Sequence, residues 1–309
     1  ALFDGLFRAC CMFRSGHIST LTYGFAPAWV LGTVEGMYDL HTHSQISDGT
    51  QSLDELVGEI ATTGLTGFAL TDHDTTAGWQ RAGQLAEHFG LDFLPGMEVS
   101  CSGQGVSVHL LSYMHDPLDT ALLAEISRAR ESRVGRAQRM VQLLAEDYPL
   151  TWEAVQDHTH EGATVGRPHI ADALVAAGVV ANRSEAFETI LTARSKYYVP
   201  HYAVDPVQAV SLVRAAGGVP VMAHPRAVAR GWVASEELIF AMIDAGLAGL
   251  EIYHRDNGPE DRAWLLQVAK EHDLLVTGSS DYHGAGKPNR LGENTTDGET
   301  VARIREQAR

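Results

Sequence analysis

The stretch Asp39-Leu40-His41-Thr42-His43-Ser44, with Asp48 shortly after it, decides how the rest of the chain is read. It follows the short apolar lead Met37-Tyr38, so it reads as the end of a buried strand. Residues i and i+2 of a strand point to the same face, so both imidazoles leave it side by side. Two neutral imidazoles and a nearby carboxylate suit a divalent transition metal. A surface His-x-His without a ligand role fits the triplet equally well. Partners elsewhere in the chain must decide.

Strand ends supply them. Ser52 and Glu55 have capping-box spacing ahead of the apolar stripe Leu53, Leu56, Val57 and Ile60, which predicts a helix closed near Gly64. A strand over 67–71 then runs into Asp72-His73-Asp74, and a helix over 77–89 ends at Gly90. Asp92-Phe93-Leu94 leads through Pro95-Gly96 to Met97-Glu98-Val99. Val106, Val108 and Leu110 alternate with Ser107, His109 and Leu111, which puts His109 opposite the valines. Later, helices over 206–216, 235–245 and 259–272 each precede a strand. Those strands end at His224-Pro225, Tyr253-His254 and Ser280-Asp281-Tyr282-His283.

Alternating strands and helices predict a parallel sheet. Seven strands make this an α/β chain, a distorted seven-stranded (β/α)7 barrel with a helical insertion. Six of the strands end in or carry a His, Asp or Glu at the C-terminal side, where barrel enzymes place their chemistry. The insertion spans 119–206, where Leu122, Ile126, Val134, Ala137, Met140, Val141 and Leu144 recur at helical spacing. Arg128, Arg130, Arg133, Arg136 and Arg139 decorate it and read as a solvated face, and a strand is expected at Tyr197-Tyr198-Val199. The domain plan is an N-terminal extension over 1–36, a discontinuous barrel over 37–118 and 207–309, and 119–206 as a cap over the substrate.

The chain has 309 residues, 45% hydrophobic, with a net charge of −16. That charge argues against a long nucleic-acid groove, which needs a basic stripe. It leaves room for a small phosphorylated substrate, because bound divalent ions reverse the local field. Three cysteines without a Cys-x-x-Cys give no disulfide framework and point to a reducing, cytoplasmic setting. Leu21–Gly32, broken by Gly24 and Pro27, is too short to span a membrane and lacks signal-peptide order.

His41, His43, Asp48, His73, Glu98, His109, His224, Asp281 and His283 form the candidate ligand set. Each alone has an ordinary reading, as a hydrogen-bonded core histidine or a turn carboxylate. Together they are too many for one tetrahedral ion. They suit two or three ions with bridging carboxylates, the arrangement used for in-line displacement at phosphorus.

Asp-Leu-His-Thr-His-Ser, Ser47-Asp48-Gly49-Thr50, Leu70-Thr-Asp-His-Asp74, Pro95-Gly-Met-Glu98, Ala223-His-Pro and Asp281-Tyr-His283 resemble, in order, the motifs of the polymerase and histidinol phosphatase (PHP) family. The resemblance covers about residues 37–290 outside the insertion. Its nearest branch comprises small phosphoesterases that act on nucleoside 3′,5′-bisphosphates or trim short RNA ends.

The resemblance implies a first metal held by His41, His43, Glu98 and Asp281, and a second by bridging Glu98 with His109 and His224. It implies a third held by Asp48, His73 and His283. Manganese, iron and zinc all suit imidazole–carboxylate ligation, and calcium does not. The expected reaction is attack on phosphorus by a metal-activated hydroxide, with His73, Asp281 and Arg167 as catalytic residues. Gly166-Arg167-Pro168-His169 resembles the family segment that brings an arginine to the substrate phosphate, although Arg167 also fits an ordinary helix start. Lys196 and Arg226 are further candidates for substrate phosphate, or solvated cations. Tyr253, His254 and Asn257 are candidates for base or ribose.

Two other hydrolase readings stay open, histidinol-phosphate phosphatase and an amidohydrolase-type barrel. The latter should carry a bridging lysine on a middle strand, where this chain has Glu98. A non-catalytic regulatory protein on the same scaffold should have lost ligands, and the set is complete.

Overall fold

Apolar runs bounded by glycines and capping residues become strands and helices close to their expected bounds in the computed structural model. It describes residues 36–159, 163, 165–228, 231 and 233–309. The N-terminal extension, with Cys10 and Cys11, lies outside the described residues apart from Gly36. The strands β1 (Met37–Thr42), β2 (Gly67–Leu70), β3 (Asp92–Gly103), β4 (Val106–Tyr113), β5 (Val219–Met222), β6 (Gly249–Tyr253), β7 (Leu275–Gly278) and β8 (Thr296–Asp297) form one sheet. Its order is β7-β6-β5-β4-β3-β2-β1-β8. The first seven are the expected seven. The eighth has two residues, too few to leave a pattern in the sequence.

The barrel is less regular than the alternation predicts. β4 runs antiparallel to both β3 and β5, while β1–β2–β3 and β5–β6–β7 are parallel. The cause is local: Gln104 (φ 51°) and Gly105 (φ 79°) link β3 and β4. A two-residue turn with both φ positive matches the natural strand twist and returns the chain as a hairpin. No strand forms at 197–199. There Tyr197 packs into an apolar cluster and donates to Asp147 (2.7 Å), and the Val199 carbonyl accepts from Arg136 Nε (2.7 Å). The nearest β contact among the described residues comes later, a bridge from Val204 to Cys101.

The ring closes without a ladder between β7 and β8. Thr296 Oγ1 accepts from Gly278 N (3.0 Å) and donates to Gly278 O (2.8 Å). Past β7 the chain meets the end of β1: His43 N donates to Tyr282 O (2.9 Å) and Tyr282 N to His41 O (3.3 Å).

Helix α1 (Leu53–Ile60) carries the expected capping box, with Glu55 N donating to Ser52 Oγ and Ser52 N to Glu55 Oε2. It and α2 (Trp79–Phe89) cover one flank of the barrel. Helix α3 (Thr120–Leu144) is shared: Leu122 and Ile126 join the barrel core. Its second half, from Ala137 to Leu144, joins an apolar cluster with α4 (Trp152–Gln156), α5 (Arg167–Ala176) and α6 (Arg183–Thr189). Helices α7 (Pro206–Ala215), α8 (Glu236–Asp244), α9 (Pro259–Glu271) and α10 (Gly298–Gln307) complete the outer layer. Among the described residues, no helix is long and apolar enough to cross a membrane.

Candidate metal centre

His41 and His43 leave β1 on one face, fully buried, as the strand period requires. Asp39 anchors the strand from behind, its Oδ1 accepting from Ser280 N (3.0 Å) and its Oδ2 from Gly292 N (2.9 Å). The following turn is pinned by Asp72, which accepts from Ser44 N (2.8 Å), Ser44 Oγ (2.7 Å) and Ser47 Oγ (2.6 Å). Gly49 must be a glycine, since a Cβ there would lie 2.5 Å from the His43 carbonyl oxygen. This turn delivers Asp48.

His73 follows β2, Glu98 lies within β3, His109 lies in mid-β4 and His224 follows β5. Because β4 is reversed, His109 comes from the middle of a strand rather than its end. Asp74, His224 and Asp281 have φ of 54°, 30° and 56°, a region costly for residues with a Cβ. Such strain gathers at functional sites, where the surrounding structure enforces it.

The side chains converge in three groups. His41 Nε2 and His43 Nε2 lie 3.1 Å apart and are 3.2 and 3.1 Å from Glu98 Oε2. Both are also 3.4 Å from Asp281 Oδ1. Asp48 gathers the second group, with His283 Nε2 at 3.2 Å, His43 Nδ1 at 3.7 Å and His73 Nε2 at 3.8 Å. Around Glu98 the third forms, with His109 Nδ1 at 2.7 Å, His224 Nε2 at 3.3 Å and His73 Nδ1 at 3.4 Å. Three sets could each hold an ion: His41, His43, Glu98 and Asp281; His43, Asp48, His73 and His283; and His73, Glu98 and His109. The first is the expected first site. The others differ by adding His43 to the third site and by placing His73 rather than His224 with His109.

Electrostatics follows from burial and mutual contact. Burial alone would raise Glu98 and Asp48, yet His41, His109 and His73 hold Glu98 well below the usual range, and His283, His73 and His43 do so for Asp48. Burial disfavours charge on His41, but Glu98, Glu251 and Asp281 outweigh it and keep its pKa well above 6.5. His43 is pushed up to about 9, burial being outweighed by Asp281 and Glu98. His283 goes down to about 4, chiefly through burial and Lys287. Ionised carboxylates are ready to ligate, and the protons held among the imidazoles are what divalent ions would displace on binding.

The residues fit such ions. All donors are nitrogen or oxygen, nearly all buried. His283 Nε2 is buried without a hydrogen bond, although Asp48 Oδ1 is 3.2 Å away. Two acceptors facing each other off hydrogen-bond geometry are placed to share a cation.

Glu251 escaped the sequence reading. It lies in β6, buried, with Oε1 3.0 Å from His41 Nδ1 and Oε2 accepting from His224 N (2.8 Å). The signal was available, since an acid inside a buried strand needs a partner. Lys287 was also missed; its Nζ lies 2.9 Å from Asp281 Oδ2. The arginine face of α3 is only partly solvated. Arg128 and Arg139 are exposed, but Arg136 is buried and Arg133 pairs with Asp74 Oδ2 (3.0 Å) and with Ser100 Oγ.

Other predicted contacts take varied places. Arg167 Nη1 donates to Leu191 O (3.2 Å), and its guanidinium faces the Phe187 ring. His169 is buried, its Nδ1 accepting from Gly166 N (3.1 Å). Lys196 pairs with Asp147 (2.6 Å) and is 67% exposed, away from the ligand groups in its contacts. Arg226 Nε donates to Asp261 (3.0 Å) and its backbone N to Asn257 Oδ1 (3.1 Å). Asn257 in turn donates to the Glu251 and Ile252 carbonyls, so both serve the turn after β6. His254 is buried with Nε2 3.8 Å from Asp281 Oδ2, and Tyr253 is exposed at the end of β6.

A barrel with buried histidine–carboxylate groups of this kind defines a metal-dependent hydrolase. The family model described as the PHP domain matches residues 39–199. A 3′,5′-nucleoside bisphosphate phosphatase of Chromobacterium violaceum is 32% identical over 84% of this chain and 91% of its own length. A 5′-3′ exoribonuclease of Haemophilus influenzae is 32% identical over 83% of this chain and 93% of its own. A solved structure from Bifidobacterium adolescentis, assigned to the metal-dependent phosphoesterases, superposes with TM-score 0.86 at 46% identity, covering 88% of this chain and 96% of that one. The chain belongs to the PHP family and is a metal-dependent phosphoesterase, an enzyme that hydrolyses phosphoric esters. The amidohydrolase reading is set aside.

Proposed function

We propose that this enzyme removes one phosphate from a small nucleotide that carries a second, as in the 3′-phosphate of a nucleoside 3′,5′-bisphosphate. The observation that carries this is a group of cations beside the ligand clusters. Arg133, on α3, is bonded to Asp74 and Ser100, next to His73 and opposite His109 in the β3–β4 register. Burial and then Arg167 and Arg133 bring Arg136 to about 10, and burial and then Arg133 lower Arg167. His201 is driven to about 3 by burial and the three arginines. Among the described residues Arg136 and Arg167 have no carboxylate partner and donate to carbonyl oxygens. Clustered guanidiniums of this kind match a phosphate, which they bind as planar forks.

The ligand plan is part of the proposal: two or three ions, manganese, iron or zinc, held by His41, His43, Asp48, His73, Glu98, His109, His224, Asp281 and His283. Bound ions would supply Lewis acidity toward the phosphoryl oxygens and acidify an attacking water. The chain's own residues do the rest. Glu251 orients His41, Asp72 fixes the turn that carries Asp48, and Arg167 with Arg133 and Arg136 holds the phosphate that is not cleaved. Residues 119–206 form the cap that carries those arginines. A short RNA end is the second reading, favoured by the identity to the Haemophilus influenzae exoribonuclease.

The test is phosphate release with added manganese from adenosine 3′,5′-bisphosphate, a 5′-phosphorylated RNA trimer, histidinol phosphate and a simple monoester. Turnover should be fastest with the first or second. Rapid release from histidinol phosphate alone overturns the proposal.

A further inference from the structure

Arg183 sits on α6, far in sequence from the ligands, yet its Nη1 donates to the backbone carbonyl of Asp48 at 2.8 Å. Its Nε and Nη2 form a fork onto Asp172 Oδ1 and Oδ2, both at 2.5 Å, and its side chain is 11% exposed. A Cβ on Gly286 would lie 2.3 Å from Arg183 Nη1, so the guanidinium is wedged against the short turn that follows His283. That turn and the Asp48 turn are joined, since Thr50 N donates to His283 O (3.1 Å) and Ala285 N to Thr50 Oγ1 (2.8 Å). His169 approaches from α5. Its Nδ1 accepts from Gly166 N (3.1 Å), and the ring also meets the Ser47 backbone, one residue before Asp48.

We infer that Arg183, fixed by Asp172 and assisted by His169, is a positioning residue for the ion held by Asp48, His73 and His283. This rests on the three-ion reading above. On that reading the insertion is more than a substrate cap: it supplies the outer support of one metal site. A planar guanidinium fixed on two sides holds a backbone carbonyl more rigidly than a flexible ammonium does. Groups that orient ligands in this way typically carry 10- to 100-fold in metal affinity.

The experiment is a calorimetric manganese titration of metal-stripped full-length protein, with metal analysis after dialysis. Arg183→Met, Asp172→Asn and Arg183→Lys are compared with wild type and with Asp48→Ala. The inference expects three manganese equivalents in wild type. In Arg183→Met and Asp172→Asn one equivalent should weaken about 10-fold or more while two stay unchanged. Arg183→Lys, which keeps a donor for the Asp48 carbonyl, should fall between. Three unchanged equivalents in both variants overturn the inference alone, and so does equal weakening of all three. Two equivalents in wild type, with neither lost in Asp48→Ala, overturn the three-ion reading and the inference with it.

Discussion

His41 Nδ1 and Glu251 Oε1 meet at 3.0 Å inside the barrel, with neither side chain exposed. The carboxylate fixes the proton on Nδ1, so the proton that a bound ion would displace is the one on Nε2, which faces Glu98 and Asp281. Glu251→Gln keeps the shape and removes the charge. It should weaken the ion at the His41 group about 10-fold or more, seen as one displaced step in a manganese titration. A titration indistinguishable from wild type would remove Glu251 from the site.

His73→Ala and Asp281→Ala each delete a donor from a buried group without touching the apolar core. Both variants should keep wild-type circular dichroism and lose turnover by several orders of magnitude. Near-normal phosphate release in both would refute the ligand assignment.

Arg136→Met tests the second phosphate. A charge-assisted bond contributes roughly 1.5–3 kcal/mol, so KM for a nucleoside bisphosphate should rise about 10- to 100-fold. Turnover of a simple monoester, which has no second phosphate, should be unaffected. Equal loss on both substrates would assign Arg136 to the fold instead.

How much of this was legible beforehand differs from residue to residue. Ser52 with Glu55, the glycine at 90 and the apolar runs carry local signals, so seven strands and their helices can be placed from sequence. The candidate ligands were legible because strand ends put His, Asp and Glu where a core residue has no need of them. The reversal of β4 was not, because Gln104-Gly105 is a weak turn signal inside a strong α/β rhythm. Glu251 was hidden inside a strand, and Arg183 reaches a backbone atom 135 positions away, for which no local pattern exists. Arg133 and Arg136 look like their exposed neighbours Arg128 and Arg139 until the rotation of α3 on the barrel is known.

His115 offers a pH prediction away from the metal groups. It is buried against Trp79 with Nδ1 2.7 Å from Ser112 Oγ, and burial lowers its pKa from 6.5 to about 4. Below 6.5 the unfolded chain takes up a proton that the folded chain refuses, so stability should fall as pH drops toward about 4 and be unaffected by this group above 6.5. Between pH 7.5 and 5 the contribution is about 2 kcal/mol. His115→Gln should lose about that much less stability over the same interval in urea unfolding. An identical acid slope in wild type and variant would contradict this.

The closure of the barrel has a thermodynamic consequence. Asp39 and Ser280, 241 positions apart, are bonded at the junction where β1 meets the chain leaving β7. His41, His43 and Asp48 lie on one side of that junction, Asp281 and His283 on the other. An ion shared across it would act as a removable cross-link over a very long loop, and such links restrict the denatured chain most when the loop is long. Chelation would therefore do two things at once: stop the chemistry and release the clasp of the ring.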